Sequence, residues 1–432
     1  MTSILRSFIA LYTAMFLITM ALGLLATFLS LRLTVEGYSP QVTGMILTSY
    51  YVGTVIGTFH CSHLIKSVGH IRSFAAFTAI TGAMVMLHGY YISPLAWGVF
   101  RFITGVVSIG LFMVIESWLN ECSETHTRGR VFSVYMVLFY LGSGLGQQFL
   151  NIGEVKDSSL FFIIGFLTLI GSVPIALTHS IHPQIQTVQP VKLNTIIKKA
   201  PMGMVGCLAA GLLTSSFYTM GPVFFHSISP DVSRLSLFMT VTVVGGLLLQ
   251  WPLGAVSDRF DRSIVIPVVT LLFGILSAVM LPAGQFSIPV LMVGTALFGG
   301  LMSCIYPAAV ARAHDLFESK DIVNVSSALL LFYGIGAILG PLVSSGFIAV
   351  FDNSHGFYLF FSSIGILAGV GLLFLRQTEL TRVIPVEDQV DFMIMKRSSQ
   401  VAMQMDPRSE VEAAPQNELQ DEPGEPKDKA RS

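Results

Sequence analysis

Long apolar runs, each ended by a short polar island, follow one another along most of the chain. Breaking the sequence at turn residues and charges leaves apolar stretches near residues 7–31, 42–64, 74–92, 95–119, 131–151 and 160–178. After a polar connector over 179–200, six more lie near 202–225, 233–256, 264–283, 288–311, 322–350 and 356–376. Each is about the 20 residues that a helix needs to cross a bilayer. The pattern predicts an all-α integral membrane protein with twelve transmembrane helices. The first run, Phe8 to Leu31, is longer than a signal-peptide core and has no small-residue cleavage site, so it reads as the first span. The alternation stops at Leu380, and the residues beyond it are rich in Glu, Asp, Pro, Gln and Ser. Such a chain is too polar to bury a core, which predicts a disordered tail over 379–432. A solvated extension or a regulatory, partner-binding segment both fit it.

Composition agrees and adds an orientation. Hydrophobic residues make up 53% of the 432, charged residues 11%, and mean hydropathy is +0.72. A soluble domain carries roughly 25% charged residues. On the twelve-span map Arg6, Lys66, Arg72, Arg128, Arg130, Lys192, Lys198, Lys199, Arg259, Arg262, Arg312, Lys320 and Arg376 share one side, whereas Arg32, Lys156 and Arg234 fall on the other. Lysine and arginine accumulate in cytoplasmic loops, so both termini, the connector and the tail are expected in the cytoplasm. A net charge of -1 leaves no basic face for nucleic acid. Cys61, Cys122, Cys207 and Cys304 are scattered, without C-x-x-C or zinc spacing. His60 and His63 stand three apart on a predicted helix, but no acidic or cysteine ligand accompanies them, so neither a metal nor a cofactor is expected.

The halves repeat each other. Ser39-Pro40-x-Val42 recurs as Ser229-Pro230-x-Val232, and Gly110-Leu111 with Ile115 recurs as Gly300-Leu301 with Ile305, both at an offset of 190. Phe139-Tyr140 matches Phe332-Tyr333 after a three-residue slip. Order and common offset favour duplication over chance. They predict two pseudo-symmetric six-helix bundles, 1–178 and 201–378, which is an architecture for alternating access.

Charge inside a span is the strongest chemical signal. Arg101 and Glu116 are the charged residues well inside predicted spans, both on the fourth helix. An arginine there costs about 2.5 to 3.5 kcal/mol on insertion scales, so it faces a cavity or a partner, or snorkels to the interface. Arg101 could receive an anionic substrate or couple to a proton carrier. Glu116 lies fifteen residues on, about 22 Å along the helix, too far for a direct pair. With Arg128 and Arg130 in the next loop, it reads as part of an ion-pair network at the gate, with proton carriage as the alternative. Uncharged groups that could line a pathway are Tyr50, Gln147, Tyr218, Gln250, Tyr306 and Tyr333, although tyrosines also fill interfaces and packed seams. Gly142, Gly144 and Gly146, with Gly334, Gly336, Gly340 and Pro341, thin two corresponding helices for close packing or bending.

Between the eighth and ninth spans, Gly254-x-x-x-Asp258-Arg259-x-x-Arg262 packs charge into a tight turn. It resembles the loop motif of the major facilitator superfamily, and Arg101-x-x-x-Gly105 resembles that family's second motif. The resemblance covers residues 5–378. The runs Val114-Ile115-Glu116-Ser117-Trp118, Arg128-Gly129-Arg130 and Tyr140-x-Gly142-x-x-x-Gly146-Gln147 are similar to the YcaD-type bacterial transporters within it. The first-half copy of the loop motif departs from the pattern: Lys66 stands where the family usually has aspartate. The fifth helix also lacks the Gly-Pro pairing of the family's drug and proton antiporters, although Gly340-Pro341 occurs on the eleventh.

A carboxylate at the end of the eighth helix can meet guanidinium groups or exposed helix amides. By pseudo-symmetry Asp258 is expected to latch onto Arg130 and the start of the fifth helix. Arg259, Arg262, Arg128 and Lys66 are the other gate candidates, and the alternative is that Asp258 and Arg259 cap helices within their own half. No Walker sequence, nucleophile elbow or H-E-x-x-H occurs, which argues against an enzyme or an ATP-driven pump. The expectation is a monomeric secondary active transporter in a bacterial inner membrane, moving a small solute with protons by rocking two bundles. An uncoupled facilitator, or a transporter-like sensor acting through its tail, are the alternatives.

Overall fold

Apolar segments of 20 to 30 residues form helices because, in hydrocarbon, only a helix satisfies every backbone N–H and C=O within one segment. The computed structural model describes residues 2–123, 127–177, 193–318 and 321–379, with five tail positions, 385, 389, 392, 393 and 399. Among the described residues, twelve long helices are α1 Thr2–Val35, α2 Pro40–Val68, α3 His70–Tyr90, α4 Pro94–Glu121, α5 Arg128–Gln148, α6 Ser159–Ile170, α7 Pro201–Ile228, α8 Val232–Arg259, α9 Arg262–Val279, α10 Ile288–His314, α11 Ile322–Phe351 and α12 Asn353–Glu379. A turn extends α6 into Val173–Ala176, and the connector holds a short helix, Leu193–Lys199. The rest of the connector and most of the tail lie outside the described residues. Eleven of these helices are long and apolar enough to cross a membrane, and α5 is the less apolar twelfth.

Burial is inverted relative to a soluble protein. Trp251 is 79% exposed and Leu248, Phe166 and Phe374 also face outward, whereas Gln147, Gln250, Arg101 and many Ser and Thr hydroxyls are enclosed. That distribution suits a lipid exterior, where a solvent-facing apolar belt would be a liability in water.

Glycines set the helix pairs. At the α2–α4 crossing, Gly53 lies on Phe102 and Gly105 lies on Tyr50, so the two backbones touch. The same reciprocal lock joins α8 to α10, with Gly245 on Ala296 and Gly299 on Thr242. Gly142 and Gly146 seat α5 against Phe16, Thr19 and Met20 of α1, and Gly211 with Gly336 seats α7 on α11. Each half therefore carries the same two close crossings at corresponding helices.

The ends of the helices are capped, but not by matching residues. Ser39 caps α2 by accepting the Val42 N–H at 3.4 Å, with Pro40 at the first turn. The repeated Ser229-Pro230 does not take that place in the second half. There Asp231 is the cap, accepting N–H bonds from Ser233 at 2.9 Å and Arg234 at 3.2 Å, two residues later in register.

The halves meet chiefly at the far end, where α1 finishes. Ser30 donates to the Thr219 carbonyl at 2.5 Å, Gln148 to Thr240 at 2.7 Å, and Asn151 to Ser236 at 3.0 Å. Gly44 of α2 packs there against Pro341 and Ser345 of α11. At the near end, where α1 begins, the polar contacts recorded with both halves come from the tail.

Candidate functional site

A cavity of about 150 Å³ opens between the halves, lined by α1, α2, α4 and α5 on one side and by α7 and α11 on the other. Its polar groups are Arg101 and the hydroxyls of Thr19, Thr54, Ser143 and Thr214; its aromatic wall is Tyr50, Tyr51, Phe112, Phe139, Tyr218 and Tyr333. Among the described residues, those rings and hydroxyls surround a single formal charge.

Local sequence explains how Arg101 reaches it. Gly105 lies one turn along α4, and a Cβ there would stand 2.9 Å from the carbonyl carbon of Tyr50. Only glycine lets α4 sit so low on α2. That approach brings the Arg101 guanidinium 4.4 Å from the Tyr50 ring centroid, a cation–π contact. Arg101 is 3% exposed, and its Nε has no hydrogen-bond partner. The Arg-x-x-x-Gly spacing thus joins a charge to the crossing that positions it.

Of the eight sequence-predicted pathway residues, Arg101, Tyr50, Tyr218 and Tyr333 line the cavity. Tyr306 stands directly behind, its ring edge-on to Tyr333 at 5.1 Å. Gln250 is a seam residue, donating to the Tyr140 hydroxyl across the α5–α8 interface. Gln147 ties α5 to α1, its Nε2 donating to the Gly23 carbonyl at 3.2 Å, and Gly23 and Ser143 beside it line the cavity. Tyr51, Thr19, Thr54, Ser143 and Thr214 were missed: hydroxyls recur throughout these helices, and only the packing tells which face inward.

Glu116 is fully buried and outside the cavity. It accepts the Tyr135 hydroxyl at 2.6 Å, and the backbone N–H and hydroxyl of Ser399. The expected ion pair with Arg128 or Arg130 does not form, because both arginines sit on the first turn of α5, where Arg130 is exposed, while Tyr135, more than a turn further in, reaches the carboxylate.

The charged turn after α8 also differs from expectation in this structure. Asp258 pairs with Arg262 at 2.6 Å and accepts the Phe392 N–H at 2.8 Å, so it bonds within its own half and to the tail. It does not meet Arg130, since the polar α5–α8 contacts run from the far end only as far as Gln250 and Tyr140 at mid-depth. Arg262 bonds a second carboxylate, Asp315 just past α10, at 2.6 Å. Asp261 caps α9 through Ser263 and lies 3.8 Å from Arg376. Arg259 and Lys66 are exposed, and the place of Arg262 is taken in the first half by His70, whose Nε2 is 3.0 Å from Ser117 Oγ. Asp315 and Tyr135 are the partners that the sequence did not reveal. Among the described residues no cluster of metal-ligating side chains occurs.

Twelve long helices, eight of them joined at glycine-locked crossings, around a central cavity between the halves define a polytopic membrane transporter. The chain belongs to the Major Facilitator Superfamily, whose sequence profile it matches over residues 11–233 and 204–414. It is 28% identical over 377 residues to the uncharacterised transporter YcaD of Escherichia coli O45:K1 (strain S88 / ExPEC), covering 87% of this chain and 96% of that one. The YcaD protein of Salmonella heidelberg (strain SL476) is 29% identical over 379 residues, with the same shares covered. Among solved structures, the nucleoside transporter NupG superposes with a TM-score of 0.69 at 15% identity, over 87% of this chain and 99% of NupG. A bacterial homologue of the human lysosomal transporter Spinster, inward-facing and unoccupied, gives 0.73 at 12% identity, over 90% and 98%. At such identities these structures establish the fold.

Proposed function

We propose that the chain is a secondary active carrier that moves a small solute by rocking residues 1–178 against 201–378, with protons as the coupling ion. One observation carries the reading: a cavity shared by both halves, with most of the direct polar bonds between the halves gathered toward the far end and one, Gln250 to Tyr140, at mid-depth. A site reached from one side at a time is what alternating access requires. With the positive-inside bias, the near end faces the cytoplasm and the carrier is inward-open, in a bacterial inner membrane.

Asp258 meeting Arg130 belongs, in this proposal, to the opposite state, in which the near end is shut. Asp258→Asn should then slow transport without unfolding the chain, and unchanged uptake would remove the latch. Glu116, a carboxylate inside a span, is the group for proton carriage, and Tyr135 hydrogen-bonded to it supports a held, exchangeable site. Reconstituted vesicles screened against a solute panel, with and without a pH gradient, test the whole. Accumulation against a gradient that collapses with the proton gradient is the expected result. Equilibration unaffected by pH would make the chain a facilitator, and no flux of any solute would leave neither.

A further inference from the structure

We propose that the cavity selects a small organic monoanion, a monocarboxylate carrying an apolar or aromatic body. Among the described residues, Arg101 is the sole charged one in the lining, and no acidic side chain lines it. An arginine stays protonated in proteins, so the cavity holds a permanent unit of positive charge. Among the described residues no carboxylate forms an ion pair with Arg101, and Nε is buried without an acceptor. The ring of Tyr50 offsets part of the desolvation through its face, but a ring accepts no N–H in the plane of the guanidinium. What is missing is a planar acceptor. A carboxylate meets a guanidinium fork through two parallel bonds, which a lone hydroxyl or amide oxygen does not.

Charge number narrows the class. One guanidinium balances one negative charge, whereas a phosphate monoester carries about −1.5 to −2 at neutral pH and would bring uncompensated charge into a buried site. A cation would meet Arg101 with no carboxylate to offset the repulsion. The rest of the solute must suit Tyr51, Phe112, Phe139, Tyr218 and Tyr333, a wall that favours rings and alkyl chains, with Thr19 and Ser143 able to bond one further polar group.

The proposal rests on the transport reading for how the solute moves, but not for whether it binds. The purified full chain should be stabilised in thermal unfolding by phenylacetate and hexanoate, and not by phenylacetamide, phenethylamine or phenyl phosphate. Arg101→Gln should weaken phenylacetate binding at least tenfold, and Arg101→Lys should keep part of it, since the charge remains and the fork is lost. Equal stabilisation by the amide or the amine, no shift with any monocarboxylate, or unchanged phenylacetate binding in Arg101→Gln overturns the proposal. The charge series on the unaltered chain decides the matter should Arg101→Gln fail to fold. Counterflow of labelled phenylacetate in proteoliposomes separates the two readings. Binding through Arg101 without counterflow overturns transport and leaves the site. Counterflow of a neutral or cationic solute, carried equally by Arg101→Gln, overturns the site and leaves transport.

Discussion

Arg262 is enclosed completely between two carboxylates of unequal burial: Asp315 is 0% exposed at the side chain and Asp258 38%. Removing the buried partner leaves a desolvated guanidinium short of a counter-charge, which costs on the order of 3 kcal/mol, whereas a half-exposed pair contributes about 1 kcal/mol or less. Asp315→Asn should therefore lower the unfolding midpoint of the purified chain much more than Asp258→Asn, and equal shifts would mean that Arg262 is not held mainly by Asp315. The same contrast marks what could be read in advance. An arginine inside an apolar span announces itself, because insertion penalises it wherever it points, so Arg101 was legible. Its partner was not: whether Tyr50, Tyr51 or a carboxylate faces it depends on how deep α4 sits on α2. Asp258 was legible as a bonded group, yet the sequence sent it across the interface, because pairing depends on which helix ends are close in the state observed.

Helix number and approximate position were readable from hydropathy alone, since the bilayer sets both length and polarity. The crossings depended on single glycines that look alike in sequence and differ in space. A Cβ on Gly105 would press on the Tyr50 backbone, which belongs to a helix and cannot step aside, whereas Gly346 has nothing within 4 Å. Gly105→Ala should destabilise by about 1 to 3 kcal/mol, as overpacking does, and shift Arg101 from the Tyr50 ring. Gly346→Ala should be neutral or gain up to about 1 kcal/mol of helix propensity. Thermal unfolding together with transport rate checks both, and a harmless Gly105→Ala would mean that α2 and α4 are not locked at that point. The repeat was legible as order and offset, but not as local equivalence. Ser39 caps α2, whereas its counterpart Ser229 yields the cap of α8 to Asp231, because duplicated segments keep helix packing more strictly than helix starts.

At the scale of the molecule, direct bonds close the far end, while at the near end the polar contacts recorded between the halves run through the tail. Phe392 donates to Asp258 of the second half, its ring lies on Gly254, and Ser399 bonds Glu116 of the first half. The tail's overall composition held no sign of such contacts, since they come from a few groups: the backbone N–H of Phe392, the N–H and hydroxyl of Ser399, and the apolar side chains of Phe392 and Met393 packed against the helices. Ending the chain after Glu379 removes these bonds without touching a membrane helix. Initial rates of uptake should rise, and an unchanged rate would show that the contacts do not restrain the halves. The far end offers the sharper test of rocking. Asn151 and Ser236 approach to 3.0 Å across the interface, and the native cysteines do not compete there: Cys61, Cys207 and Cys304 are buried and Cys122 lies at the other end of the helices. A chain carrying Asn151→Cys with Ser236→Cys, joined by a short cleavable bifunctional thiol reagent, should lose transport and regain it on reduction, with either single substitution unaffected. If the solute had only to pass a fixed channel between the halves, a tether at a place already in contact would change nothing, so full activity in the cross-linked chain would rule out motion of the two halves at that end.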